Sequence, residues 1–151
     1  MVSLSPLEMG FLFTYTYIFT NLVRQPFETF NYSLKRSPTG PGSKNPNKPL
    51  MLATASFDGS VRLWDVKDGS CISVLSRHRD SVYSVSFSPS GEYLASGSLA
   101  GQLYIWRVRD GQHVKNFKGK GDIFEVAWNV EETRVAACFS SNVVNVIDFR
   151  P

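Results

Sequence analysis

Short apolar runs separated by polar turns fill the chain from Leu50 onward. The runs at 61–66 and 82–87 are rich in β-branched and aromatic residues, a composition typical of β-strands. Glycine, aspartate, serine and proline cluster between the runs, as in Phe57-Asp58-Gly59-Ser60, and predict tight turns. No segment shows the 3.6-residue spacing of apolar positions that predicts an amphipathic helix. The pattern therefore predicts a chain of short strands.

Two segments of the chain are copies of each other at a fixed offset. One is LMLATASFDGSVRLWDVKDGS, from Leu50, and the other is YLASGSLAGQLYIWRVRDGQ, from Tyr93, so that Trp64 and Trp106 are 42 residues apart. A weaker third copy, RVAACFSSNVVNVIDF, begins at Arg134. A period of about 40 to 45 residues with several strands and a Trp-Asp pair is typical of a β-propeller blade. We therefore predict an all-β fold, a partial propeller of about two and a half antiparallel four-stranded blades.

The predicted propeller occupies residues 34–151, and residues 1–33 form an unassigned apolar and aromatic leader. Residues 37–49, SPTGPGSKNPNKP, are dense in proline and glycine and predict a long surface loop. The three repeats are expected at about 50–78, 82–120 and 123–151.

Aromatic residues alternate with other residues in the leader segment 9–23, which favours a strand. The segment is shorter than the roughly 18 apolar residues of a membrane-spanning helix, so no membrane partner is expected. The leader is either the remnant of an earlier blade or an unrelated extension, and we favour the second.

Charge and cysteine content exclude some classes of partner. The formal net charge is +3, and the basic residues are scattered, so no direct nucleic-acid contact is expected. Cys71 and Cys138 lie in different repeats and lack the spacing of a metal site or redox pair. We predict that both are reduced core thiols.

Residues of the types that catalysis requires are few and isolated. His78 and His113 are the two histidines, and neither has an acid or nucleophile partner nearby in sequence. The glycines near Gly97 and Gly119 lack the strand-then-helix setting of a phosphate loop. We therefore predict a non-enzymatic protein with no catalytic residue, no metal and no cofactor.

The segments SVRLWDV, YSVSFSPSGEYLASGS and IFEVAWN resemble WD repeats. The resemblance implies a buried hydrogen-bonded set of a loop His, a strand Ser or Thr, a turn Asp and the Trp indole. Its members here are Asp58, Trp64, His78, Ser96 and Trp106, with Thr54 or Ser56 as the first hydroxyl and Ser98 as the alternative to Ser96. Departures are Ala100 in place of the second Asp and Ile147 in place of the third Trp.

The segments SPTGPGSKNPNKPLMLATASFD and GDIFEVAWNVEETRVAACFSSNVVNVIDFR resemble the C-terminal end of the transducin beta-like family. The resemblance implies a nuclear fragment of a transcriptional corepressor subunit that acts with histone deacetylase. Its implied partners are corepressor and histone deacetylase subunits and histone tails. Further blades would be needed to close the propeller.

Two alternatives stay open for the function. One is a substrate receptor of a ubiquitin ligase, but in the expected Trp-Asp-x-Arg motif the last position is Lys67 in the first copy, and Arg107 replaces the Asp in the second. The other is a truncated fragment without a function of its own.

Five residues are candidates for partner binding because they stand where strands begin or turn. Phe57 and Leu99 occupy equivalent turns, and large apolar groups there serve either as binding anchors or as lids over a blade. Asp80, Tyr83 and Phe124 begin inner strands and are expected to face the same central mouth.

Overall fold

The computed structural model describes residues 35–36 and 51–150, and every regular element among them is a strand. The leader at 1–33 and the loop at 37–49 lie outside the described residues. The strands are β1 (Lys35–Arg36), β2 (Met51–Ala55), β3 (Ser60–Asp65), β4 (Cys71–Ser76), β5 (Val82–Phe87), β6 (Tyr93–Ser98), β7 (Gln102–Arg107), β8 (Gln112–Lys118), β9 (Ile123–Trp128), β10 (Arg134–Phe139) and β11 (Val144–Asp148).

These strands form three antiparallel sheets in which sequence neighbours pair. The first sheet has the order β1-β2-β3-β4, the second β5-β6-β7-β8, and the third contains β9, β10 and β11. Short turns join the strands, and Gly59 and Gly101 provide a positive φ in two equivalent turns, where Asn142 does so in the third. The prediction of an all-β partial propeller with about two and a half blades is confirmed.

The strand register shows which residues are equivalent in the three sheets. Trp64 pairs with Leu52, and Trp106 pairs with Leu94 in the same place of the second sheet. In the third sheet Ile147 occupies this place opposite Val135. The sequence repeat is therefore a structural repeat, and equivalent side chains can be compared directly.

Two hydrophobic clusters hold the sheets face to face. The cluster between the first and second sheets includes Leu63 and Val85, and the cluster between the second and third includes Ile105 and Val126. These four side chains are fully buried. Burial of an aliphatic side chain of this size stabilises a fold by about 1.5 to 3 kcal/mol, so the junctions dominate the packing.

One face of the third sheet is open among the described residues. Val144 and Val146 are 61% and 62% exposed, whereas their equivalents Leu103 and Ile105 are at most 1% exposed beneath the next sheet. Cys138 lies on this open face opposite Val144 and is exposed.

The prediction that both cysteines are core thiols is wrong. Cys71 is exposed on the outer strand β4, where a shift in register places it opposite Trp64. Cys138 is exposed because no described sheet packs over its side of β10.

Candidate functional site: braced sheets and an aromatic rim

Three side chains of the second sheet form a buried brace triad, His78, Ser96 and Trp106. The indole Nε1 of Trp106 donates to Ser96 Oγ at 2.8 Å, and His78 Nε2 lies 2.7 Å from the same oxygen. The structure selects Ser96 rather than Ser98 as the central hydroxyl. The triad ties the loop before β5 to the two middle strands of its sheet.

The other ring nitrogen of His78, Nδ1, is buried without a hydrogen-bond partner among the described residues. Burial lowers the pKa of His78 to about 4, because an imidazolium would lose its hydration there. Ala100 stands where the first sheet has Asp58, so the turn of the second sheet supplies no carboxylate. The resemblance to WD repeats implies a turn aspartate as the partner of this nitrogen, and the second sheet has Ala100 at that position.

The first sheet is braced in a different way. Trp64 Nε1 donates to Thr54 Oγ1 at 3.0 Å, so Thr54 rather than Ser56 serves as the hydroxyl. Asp58 closes its own turn by accepting from the backbone N–H and the hydroxyl of Ser60 at 2.8 and 2.6 Å. Its second oxygen forms an ion pair with Arg62 at 3.0 Å.

The ionisation of Asp58 follows from these contacts. Partial burial by itself would raise the pKa of this carboxyl group. Hydrogen bonds from Ser60 and Ser56 and the charge of Arg62 outweigh burial and hold the pKa below its usual range. Asp58 is therefore an anion that fixes the turn.

The third sheet replaces the polar set by apolar groups. Ala137 stands in the place of Ser96, and Ile147 stands in the place of Trp106. Gly119 precedes β9 by the same four positions by which His78 precedes β5. The ring of Phe139 occupies the space that a side chain at Gly119 would need. The missing brace is therefore filled by a buried aromatic ring.

Three of the predicted binding residues come together as an aromatic run at one rim, formed by Phe57, Tyr83 and Phe124. The ring centroids of Phe57 and Tyr83 are 6.3 Å apart with an interplanar angle of 35°. Those of Tyr83 and Phe124 are 5.6 Å apart in an edge-to-face arrangement at 69°. Phe124 is 47% exposed. The run crosses all three sheets.

Backbone contacts between the sheets position this run. Val82 N donates to Ser56 O at 3.0 Å, and Ser81 Oγ donates to Phe57 O at 3.1 Å. The start of β5 is therefore held against the turn that carries Phe57.

Leu99 and Asp80, the other two predicted binding residues, flank the run. Leu99 is half-buried in the turn equivalent to that of Phe57, and its N–H donates to Ser81 O at 3.0 Å. Asp80 is exposed, and its Oδ1 accepts from Ser81 N at 2.7 Å.

Hydrogen bonds between the second and third sheets were missed by the sequence analysis. Ser84 Oγ accepts from Val126 N at 3.1 Å, and Trp128 Nε1 donates to Ser86 O at 3.0 Å. On the opposite rim Ser90 Oγ donates to Glu132 Oε2 at 2.9 Å. Each pair is separated by 42 residues, so the repeat period itself was the signal that could have found them.

The described part of the chain shows no candidate metal cluster and no membrane-spanning helix. It contains no group of three or more His, Cys, Asp or Glu side chains placed to hold a metal ion. A helix long and apolar enough to cross a membrane is likewise absent from residues 35–36 and 51–150. Burial lowers the pKa of His113, and the charge of Arg77 adds to the effect.

Comparisons with known proteins agree with this architecture. The model of the family "WD domain, G-beta repeat" matches residues 33–65 and 69–107. WD40 repeat-containing protein HOS15 of Arabidopsis thaliana is 53% identical over 111 residues, which cover 74% of this chain and 18% of that protein. F-box-like/WD repeat-containing protein TBL1X of Mus musculus is 51% identical over 108 residues, covering 72% of this chain and 20% of that protein.

A third relative, F-box-like/WD repeat-containing protein TBL1Y of Homo sapiens, is 50% identical over 104 residues, covering 69% of this chain and 20% of that protein. The chain thus spans about a fifth of the length of these relatives. The repeat match, the three sheets and these relatives together show that the chain is a WD-repeat protein similar to the transducin beta-like proteins.

Proposed function

We propose that this chain acts as a non-enzymatic protein-interaction scaffold in a nuclear transcriptional corepressor assembly that contains histone deacetylase. In this proposal the sheets hold partner proteins, and a separate deacetylase subunit performs the chemistry. Identity of about 50% with TBL1X and TBL1Y supports the assignment to this kind of assembly. The WD repeats themselves support the coarser role of binding proteins.

The observation that carries the proposal is the aromatic run of Phe57, Tyr83 and Phe124. Its rings contact one another across three sheets, and the outermost ring, that of Phe124, is 47% exposed. Aromatic side chains lose little conformational entropy on binding and are enriched among the residues that dominate interface energies. A run of rings on a hydrogen-bonded frame is therefore suited to anchor a partner.

The histidines support a structural rather than a catalytic role. His78 is used in the brace triad, and burial keeps it neutral at physiological pH. His113 packs edge-to-face on Tyr104, with ring centroids 5.3 Å apart. In the proposal neither imidazole acts as a general base.

Co-purification from nuclear extract tests the proposal. The tagged full chain, a Phe124→Ser variant and a Val130→Ser variant are expressed in cells, and histone deacetylase subunits are detected in the purified material. Val130 is a control because it is 84% exposed and lies two residues beyond the end of β9, on the side away from Phe124 in sequence. We expect the deacetylase with the parent chain and the control, and loss of most of it with Phe124→Ser.

Three results would contradict the proposal. Absence of any deacetylase subunit with the parent chain would reject the corepressor assignment. Recovery of ubiquitin-ligase subunits in its place would support the substrate-receptor alternative. Equal recovery with all three chains would show that binding does not use the aromatic run.

A further inference from the structure

The three sheets differ in how their last strands protect the edge that they form. These edge strands are β4 in the first sheet, β8 in the second and β11 in the third. A register shift interrupts the pairing of β4 with β3 and of β8 with β7, and β8 also carries Lys115 and Lys118. Bulges and lysines discourage an edge strand from pairing with another chain. β11 pairs with β10 without a register shift, and its only charged residue is Asp148, so its edge is the least protected of the three.

The hydrogen bonds between β10 and β11 show which backbone groups face the free edge. Where the two strands part, Phe149 N donates to Thr133 O at 2.7 Å. Antiparallel strands alternate between pairs that exchange hydrogen bonds and pairs that do not. Counted back from Phe149 along the observed register, this alternation directs the N–H and C=O groups of every second residue away from β10. These residues are Val144, Val146 and Asp148.

Two of the three residues keep their outward groups free. Lys115 Nζ donates to the carbonyl oxygen of Asp148 at 2.7 Å, so the second sheet already uses that end of the edge. Within residues 35–36 and 51–150, no side chain donates to Val144 or Val146 in this way, and the two valines are 61% and 62% exposed. The free edge is therefore short and centred on Asn145.

This stretch of β11 is complementary to itself. When two copies of β11 run antiparallel about a two-fold axis at Asn145, Val144 of each copy lies opposite Val146 of the other. Both valines direct their backbone groups toward the partner strand, so each pair exchanges its N–H···O bonds. Asn145 lies opposite its own copy, where the two amide side chains offer both donors and acceptors. Valines that face each other across two strands also pack well.

Charge does not oppose a two-fold arrangement. Asp148 is three residues from Asn145, so the two Asp148 residues lie about 20 Å apart on opposite sides of the axis. That distance exceeds the range of about 8 Å over which exposed charges interact at physiological salt. Each carboxylate is also paired with Arg134 of its own copy at 3.1 Å. A short, uncharged and self-complementary edge therefore fits a second copy better than a longer or charged foreign strand.

We propose that β11 forms an antiparallel pair with β11 of a second copy of this chain, with Val144, Asn145 and Val146 as the contact. The third sheets of the two copies then form one continuous sheet across the two-fold axis. The inference goes beyond the scaffold function and does not depend on it, because β11 and β9, the strand that carries Phe124, form opposite edges of the third sheet.

Sedimentation velocity of the purified full chain over a range of concentrations tests the pairing. We expect a species of twice the chain mass of 16.9 kDa, whose share rises with concentration. Val146→Pro should weaken dimerisation about tenfold or more, because proline removes one outward N–H from each copy and is tolerated in an edge strand. Val146→Thr is the matched control, since it keeps this N–H and the β-branched shape, and it should dimerise almost like the parent chain.

Two charge variants test the position of the two-fold axis. Asn145→Asp and Asn145→Lys each place like charges directly opposite each other, which disfavours strand pairing, so each variant alone should be mainly monomeric at low salt. In an equal mixture unlike charges face each other, and dimers with one copy of each variant should form. Retention of the untagged Lys variant by an affinity-tagged Asp variant measures this recovery.

Three results would overturn the inference. A monomer at every concentration would show that the edge stays unpaired, and it would leave the scaffold proposal intact because that proposal depends on Phe124. Equal weakening by Val146→Pro and Val146→Thr would assign the contact to the apolar face rather than to the backbone edge. Failure of the mixed Asn145 variants to dimerise would place the axis elsewhere. If circular dichroism shows that Val146→Pro does not fold, the Asn145 variants decide the question alone.

Discussion

The second and third sheets have equivalent strands in equivalent register, but different side chains are buried at their centres. In the second sheet, His78, Ser96 and Trp106 form a hydrogen-bonded triad. In the third sheet the equivalent strand positions hold Ala137 and Ile147, and Phe139 fills the space beside Gly119. The chain thus contains a polar and an apolar solution to one packing problem.

The difference shows what the triad contributes. The apolar sheet keeps its register without buried hydrogen bonds between side chains, so the triad is not required to form a sheet of this kind. Once a tryptophan and a histidine are buried, however, their N–H groups need partners, because an unpaired buried polar group costs about 1 to 3 kcal/mol. The triad therefore satisfies the indole N–H of Trp106 and the Nε2 atom of His78, and it leaves His78 Nδ1 without a partner among the described residues.

Removal of the central hydroxyl is expected to have the largest effect. Ser96→Ala leaves Trp106 Nε1 and His78 Nε2 without their shared partner. We expect the free energy of unfolding to fall by about 2 to 6 kcal/mol, from two unpaired groups. Urea unfolding of the full chain, followed by tryptophan fluorescence, measures the change.

Ser98→Ala is the control in the same strand. Ser98 is equally buried, but its hydroxyl makes only a 3.4 Å contact with Gln102 O. Its removal should cost much less than that of Ser96. Similar losses for the two variants would show that burial of a serine, rather than its place in the triad, determines the stability.

Acidification is expected to have the second-largest effect, a decrease in the free energy of unfolding that arises in the second sheet. Burial lowers the pKa of His78 to about 4 from an ordinary value near 6.5. The unfolded chain therefore binds a proton at this residue over a pH range in which the folded chain does not. The contribution of His78 to the free energy of unfolding is therefore fully present above pH 6.5. It falls by about 3 kcal/mol as the pH falls toward 4 and below.

A His78→Gln variant isolates this contribution from that of the carboxylates. Urea unfolding midpoints between pH 7.5 and 4.5 should fall more steeply for the parent chain than for the variant. Parallel pH profiles would contradict the prediction, since the variant lacks the imidazole.

Much of this architecture could be predicted from local sequence. The strands, the turns and the 42-residue repeat follow from alternating composition and from spacing, which are local properties. Trp64, Trp106 and His78 were predicted as bracing residues, and each lies in a buried or half-buried polar contact. Phe57 and Tyr83 were predicted to share a rim, and their rings are in contact.

The remaining features depend on contacts between sheets. Whether Cys138 is core or exposed depends on the sheet that packs over β10, and no residue near it in sequence reports this. The third sheet has Gly119 where the second sheet has His78, and the ring of Phe139 fills the space beside Gly119. The two changes lie at positions that are far apart in sequence. A single sequence shows each change but not that they compensate each other.

Restoration of the missing carboxylate is the smallest expected effect, and it tests the comparison in the stabilising direction. Ala100→Asp would give the unpartnered Nδ1 of His78 an acceptor, completing the set that the resemblance to WD repeats implies. We expect a gain of about 1 kcal/mol in the free energy of unfolding, the net value of one hydrogen bond. A carboxylate beside His78 would also raise its pKa, so the acid-induced loss should shrink.

The matched control is Ser141→Asp at the equivalent turn position of the third sheet, which has Gly119 where the second has His78. A carboxylate there has no imidazole to accept from, so the control should gain nothing. Urea unfolding of both variants at pH 7.5 and pH 5 measures the gain and its pH dependence together. Equal gains would assign the effect to a general preference for aspartate in these turns. A gain confined to Ala100→Asp would show that the second sheet retains the geometry of a four-membered polar set and lacks only its acid.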